Sequence, residues 1–344
     1  MDFAFSEEQE LLRASARDFL ADRWPLDRVV ATTNADPGFD ATAWKEIANL
    51  GWLDSSLGML EHAVIAEETG YGLLPLPWFS STALAGPLLD DQLREAVGTG
   101  DRAATLAWAE DSAWTLAGLK PTVRSDGDRL TGTKVVVPDL ASVSDVVVIA
   151  ADGIYTVDLV EHPEVVVPLS TMDRTRRLGE LRLDATPARR LDVAASRLDD
   201  VRRTALALAS CEAVGIAQRA LDLSAEHTKT RQQFGRVIGT YQGVSHRVSN
   251  IYVALQLSRS LAYWAAWAVA EGDAQQDAAV AAAKSAASEA AVFACENAIQ
   301  VHGGIGFTWE HVLHRFYKRA QWLEAFEGYG RDHRAAVADA VLTS

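Results

Sequence analysis

Apolar residues recur at helical spacing through the first hundred positions. Leu11, Leu12, Ala16, Phe19 and Leu20 form one stripe behind Ser6, Glu7, Glu8 and Gln9, which read as an N-cap and an acidic first turn. The same spacing predicts helices over Thr42–Leu50, stopped by Gly51, and over Met59–Gly70. Leu74–Trp78, with its two prolines, breaks the pattern, and Ser80–Leu89 reads as a short fourth helix. From Ala103 to Asp192 the pattern changes to short β-branched runs: Leu130–Val137, Asp145–Ala150, Ile154–Val157 and Val165–Val167. Ser125–Asp128 and Asp152–Gly153 are hairpin-turn signals between them. Strands at this spacing predict a small antiparallel barrel or sandwich. After Ser196 long Ala-rich periodic stretches cover Val201–Lys229, Tyr241–Gly272 and Asp277–Val301, which predicts a four-helix bundle. The expected fold class is α+β, with an N-terminal helical domain (1–100), a middle β domain (101–195) and a C-terminal helical bundle (196–344).

Composition narrows the partners. With 49% apolar residues in 344, the chain can bury a large core. A net charge of -15 argues against nucleic acid, which needs Lys and Arg to displace counterions, and against anionic membranes. Cys211 and Cys295 are the only cysteines, each in an Ala-rich helical stretch, so neither a disulfide framework nor a metal site is expected. The start is acidic from Asp2 onward, without a basic n-region or an apolar h-region. The Ala-rich tract around Asp277–Val301 is interrupted by Lys284, Glu289 and Glu296, which argues against a membrane span. A cytoplasmic location is the expectation.

Two stretches exceed what packing requires. The first, Thr230–His246, contains Arg231, Phe234, Gly235, Ile238 and Gln242. The second, Ala298–His311, contains Gln300, Gly303, Gly304, Gly306 and Phe307. The first resembles the Arg-x-x-Phe-Gly-x-x-Ile-x-x-x-Gln signature of the acyl-CoA dehydrogenase family, and the second its Gln-x-x-Gly-Gly-x-Gly-Phe signature. The resemblance implies FAD as cofactor and an acyl-CoA as substrate. It implies that Arg231, Phe234 and Gln242 meet the FAD of a neighbouring subunit, and that Gln300 reaches its adenosine part. A guanidinium offers a planar fork suited to a diphosphate. Gly303 and Gly304 remove side chains, so backbone N–H groups can approach phosphate or ribose. His246, His302 and His311 read as structural, Trp309 as an anchor for the glycine turn, and Arg247 as a solvent-facing arginine.

The family uses a carboxylate to remove the acyl α-proton, usually in a Tyr-Glu-Gly turn before the last helix. The matching segment is Ala325–Gly328, so Glu327 is the candidate base, and an apolar pocket would raise its pKa. Some relatives place the base on the first long helix. That position here is Ala205, and Glu212, further along, reads as an ion-pair partner.

The middle domain departs from the family. Its Thr-Glu-Pro-x-Ala-Gly-Ser-Asp loop corresponds to Leu106–Ala113, without the Gly and Pro, and its Trp-Ile-Thr strand to Lys134–Asp139, without aromatic or hydroxyl. Where the family has a Thr and a Gln after the Glu-Gly turn, Tyr329 and Arg331 stand. Contacts to a neighbour's FAD are kept, and those to the subunit's own are mostly lost. This resembles the β-type subunit of actinobacterial heterotetrameric (steroid side-chain) acyl-CoA dehydrogenases, with Thr131–Asp139 and Asp173–Leu178 as further similar stretches. The resemblance implies an α-type partner subunit in a tetramer, and an electron-transfer flavoprotein as electron acceptor. Two alternatives stand beside it: a self-sufficient homotetramer with Glu327 as base, and a flavin-free scaffold.

Overall fold

A computed structural model describes residues 5–35, 38–111 and 114–343; the acidic start at Asp2 lies outside them. The chain forms two compact units that cut across the sequence blocks. One comprises residues 1–30, 59–74 and 206–344, and the other 31–58 and 75–205.

The first unit is helical. It contains α1 (Glu7–Arg23), α4 (Met59–Gly72), most of α6 (Arg197–Thr230), α7 (Gln242–Ala270), α8 (Gln276–His302), α9 (Leu313–Ala325) and α10 (Gly330–Thr343). Ser6 closes a capping box on α1: its Oγ accepts from the Gln9 amide at 3.2 Å, and the Gln9 side chain accepts from the Ser6 amide at 3.1 Å. Helices α4 and α6 cross with their backbones touching. A Cβ on Gly70 would collide with the carbonyl oxygen of Glu212, and one on Gly215 with that of Glu67. The crossing buries two successive acids of α4, and both are matched. Glu67 receives Arg259 Nη2 and the Tyr263 hydroxyl, each at 2.7 Å, and Glu68 receives a two-pronged bond from Arg17 at 2.8 and 2.9 Å. Helix α8 is long and apolar enough to cross a membrane, but 67% of its apolar window is buried inside the protein, as in a core helix.

The second unit carries α3 (Ala41–Asn49), α5 (Asp91–Gly98) and two four-stranded sheets; α2 (Leu26–Asn34) precedes it across the division. One sheet runs β1 (Ala104–Ala107), β4 (Asp145–Ala150), β5 (Gly153–Asp158), β8 (Arg189–Leu191). The other runs β2 (Arg124–Asp126), β3 (Arg129–Pro138), β7 (Leu178–Pro187), β6 (Val166–Pro168). Val123, Leu130, Val137, Val146, Val148, Tyr155, Val157, Leu181 and Leu183 form one buried cluster between them. Pairing is antiparallel except for β1 with β4, which is parallel and departs from the all-antiparallel expectation. The β2–β3 and β4–β5 hairpins turn where the sequence signals them.

Ser80–Leu89 is not one α-helix. Ser80–Ala85 forms a π-helical turn and Gly86–Leu88 a 3-10 turn, because Pro87 has no N–H to continue an α-helical ladder. Helices α2 and α5 are not signalled by the apolar spacing. The first is rich in Val and Thr, and the second is short and capped by Asp90, whose Oδ1 accepts from the Leu93 amide at 3.0 Å.

Candidate functional site

Arg231 directly follows α6, and the chain then doubles back in a two-residue hairpin of β9 (Gln232–Gln233) and β10 (Arg236–Val237). Phe234 sits at its tip with φ 52° and is 93% exposed. A non-glycine residue in the left-handed region needs outside support. Tyr241 supplies it, its hydroxyl donating to the carbonyls of Gln233 at 3.0 Å and Phe234 at 3.4 Å. The two rings stand perpendicular with centroids 6.4 Å apart, and the Arg236 guanidinium covers the Tyr241 ring at 4.1 Å. The tip is thus built rigidly and left bare. The Arg231 side chain is exposed and has no hydrogen bond or ion pair among the described residues.

Gln242 opens α7, exposed, next to Tyr241. Gln300 is exposed in the last turn of α8, and Gly303 ends that helix at φ 65°, ψ -139°, a conformation that excludes side chains. Gly304 is different. Its φ is not positive, and a Cβ there would meet nothing within 4 Å. Nothing within the chain therefore requires a glycine at 304, which fits a group approaching from outside. All six candidate cofactor residues lie in the helical unit, at the ends of α6 and α8 and the start of α7. An exposed aromatic, a free guanidinium, two amides and an open glycine turn suit a phosphate-bearing aromatic cofactor held from one side.

Other expectations resolve as follows. Arg247 donates to Asn297 Oδ1 at 3.0 Å, linking α7 to α8. His246 is exposed. Trp309 does not anchor the glycine turn by burial. It is 73% exposed, with Lys318 over its ring at 4.4 Å and His314 edge-on at 4.6 Å. Glu212 is the ion-pair partner expected: it meets Arg319 at 2.5 Å, and both side chains are buried. Ala205 is fully buried.

Glu327 lies in the turn between α9 and α10, at φ 57° and 2% exposed. His333 Nε2 donates to its carbonyl at 3.0 Å. Lys284, buried in α8, donates to the carbonyls of Glu324 at 3.1 Å and Gly328 at 3.2 Å, so it holds both sides of the turn. Burial brings the Lys284 pKa down to about 8 against the attraction of Glu324, Glu327 and Glu289. The expected burial of Glu327 is there, but wholly apolar surroundings are not, because a buried ammonium is close by.

The two segments of the second unit that are set against the family's flavin-contacting loop and strand on sequence are tied to each other. Ser112 and Ala113 lie outside the described residues. Lys134, fully buried on β3, donates to Glu110 Oε1 at 2.6 Å and to the Trp108 carbonyl at 3.2 Å. Glu110 also accepts from the amides of Thr122 at 2.6 Å and Val123 at 3.1 Å, and the Val135 amide donates to the Ala109 carbonyl at 2.9 Å. The rings of Trp108 and Trp114 stack beside this pair, 6.3 Å apart at 9°. Burial holds the Lys134 pKa below its usual value despite Glu110. Burial works against the Glu110 charge, yet bonds from Lys134, Thr122 and Val123 bring its pKa below the usual carboxylate range.

Residues 191–342 match the family model for the C-terminal domain of acyl-CoA dehydrogenases, and residues 6–92 that for the N-terminal domain. The chain is 30% identical to acyl-CoA dehydrogenase IpdE2 of Mycobacterium tuberculosis, over 91% of each chain. Among solved structures it is similar to a variant of the Tcur3481-Tcur3483 steroid ACAD, at 28% identity and TM-score 0.86 over 98% of each chain. It shares the fold of the ChsE4-ChsE5 complex from Mycobacterium tuberculosis, at 24% identity and TM-score 0.89 over 100% of each chain. Members of this family are FAD-dependent oxidoreductases.

Proposed function

This chain belongs to the acyl-CoA dehydrogenase family, and we propose that it is the subunit of an α2β2 acyl-CoA dehydrogenase that completes a FAD site seated mainly on a related partner. The observation that carries this reading is the contrast between the two half-sites. The helical unit presents Arg231, Phe234, Gln242, Gln300, Gly303 and Gly304 at its surface. In the second unit, Lys134 and Glu110 join the two segments that would otherwise meet the flavin. FAD would supply the acceptor for the β-hydrogen of the acyl thioester as hydride, the α-proton going to a carboxylate of the partner subunit. Arg231 would hold its diphosphate, the glycine turn would admit its ribose side, and Phe234 would cover it from this chain's side. The substrate class we assign is a CoA ester of a steroid side chain, because the similar Tcur3481-Tcur3483 protein is a steroid ACAD. Electrons then pass to an electron-transfer flavoprotein. The visible absorption spectrum tests the reading. The chain purified alone is expected to be colourless, and the chain co-expressed with its dehydrogenase-like partner yellow. A flavin spectrum from the single chain would overturn it.

A second reading is the self-sufficient homotetramer, favoured by the buried Glu327 turn that Lys284 and His333 hold in place. Glu327→Gln separates the two. In the heteromer turnover is expected to stay within about twofold, whereas a true base would lose ~10²–10⁴-fold. The flavin-free scaffold is left only if no complex takes up FAD.

A further inference from the structure

Three imidazoles meet where the clamp segments converge. His227 lies in the last turn of α6, four residues before Arg231 and so one helical turn away. His302 is the last residue of α8, directly before Gly303. His311 stands between the glycine turn and α9. The His227 and His302 rings stack with centroids 4.2 Å apart at 22°, and His311 lies 4.6 Å from His302 at 53°. Backbone groups assign two of the tautomers. His302 Nδ1 is 2.8 Å from the Ala298 carbonyl, which can only accept, so that nitrogen carries hydrogen. The Leu313 amide donates to His311 Nδ1 at 3.3 Å, so neutral His311 carries its hydrogen on Nε2.

The charges around the stack are cationic. Burial first, then His302 and Arg231, hold the His227 pKa below its ordinary value. Burial does the same for His302, and for His311 with help from His302 and His227. On the α9 side, His314 is brought down to about 4 by burial, Lys318, Arg315 and His311. The adjacent carboxylate, Glu310, is exposed and bonded to Thr308. Arg231 therefore does two things at once. It offers its charge outward, and it adds to burial and His302 in disfavouring a proton on the ring one turn behind it.

We propose that His227, stacked on His302, couples phosphate binding at Arg231 to uptake of a proton by the histidine stack. An anion that neutralises Arg231 removes one of the three influences, after burial and His302, that disfavour a proton on His227. By linkage, the half-site then binds a phosphate-bearing cofactor more tightly as pH falls toward the histidine range. One proton shared over the stack suffices, and a second would set two imidazolium rings face to face. His227 and His302 are thus positioning residues that act through Arg231 and Gly303. This rests on the reading of Arg231 as a cofactor clamp.

The test is calorimetric titration of FAD into the flavin-stripped complex with its partner, at pH 7.5 and 6, in buffers of different ionisation enthalpy. The expected result is net proton uptake on binding and an affinity about three- to tenfold higher at pH 6. His227→Gln should abolish both the proton uptake and the gain in affinity between pH 7.5 and 6; His302→Gln, with the stack broken, is the second variant. FAD binding without proton uptake, or uptake that survives in both variants, overturns the coupling and leaves the clamp standing. A complex that binds no FAD at either pH overturns the clamp itself.

Discussion

Arg319→Met is expected to destabilise the helical unit by ~3–5 kcal/mol. Arg319 is 1% exposed on α9 and meets Glu212 of α6, 2% exposed, at 2.5 Å. Removing the guanidinium takes away the countercharge 2.5 Å from a buried carboxylate. The loss is therefore set by the stranded charge and not by the packing, since methionine fills much of the arginine stem's volume. Replacing both partners tests this. Glu212→Leu with Arg319→Met should recover most of the lost stability, because buried ion pairs often exchange for apolar pairs at little net change. Denaturant midpoints of the two singles and the double measure it. A single variant that loses less than about 1 kcal/mol would mean that solvent reaches the pair, as at a surface bridge.

That pair also marks where sequence reading stops. Local signals came through: the Ser6 capping box spans only the four residues Ser6–Gln9, and the β-branched runs of β3, β4 and β5 lie within a residue or two of their expected ends. The motif of the proposed clamp is legible because Arg231, Phe234 and Gln242 lie within one loop and helix start. What is set by distant partners is not. Glu67 and Glu68 look like a solvated edge of α4 until Arg259, Tyr263 and Arg17 arrive from α7 and α1. Lys134 and Glu110 lie in the two segments that read as departures from the family, but that these segments bond to each other through them depends on how β3 meets the stretch after β1. His302 and His311 read singly as structural. Their stack with His227 exists only because the ends of α6 and α8 meet.

Arg231→Ala is expected to weaken FAD binding by the heteromer on the order of 10²-fold, so that the complex purifies with most of its flavin lost. An exposed guanidinium stands one residue past α6, without a hydrogen-bond or ion-pair partner among the described residues. A charge-assisted bond to phosphate is among the stronger single contacts, and no neighbouring side chain in the hairpin can replace it, because Arg236 is held over Tyr241. Lys134→Met is the matched control in the other unit. It strands Glu110, whose bonds to Thr122 and Val123 remain, and should lower the melting temperature of the chain. It should leave the flavin content of the complex unchanged, because the proposed heteromer seats no flavin against β3 of this chain. Flavin content by absorbance and melting temperature by calorimetry read the two effects separately. If Lys134→Met empties the complex of flavin as fully as Arg231→Ala does, this chain cradles a flavin of its own and the division of labour between the two half-sites is wrong.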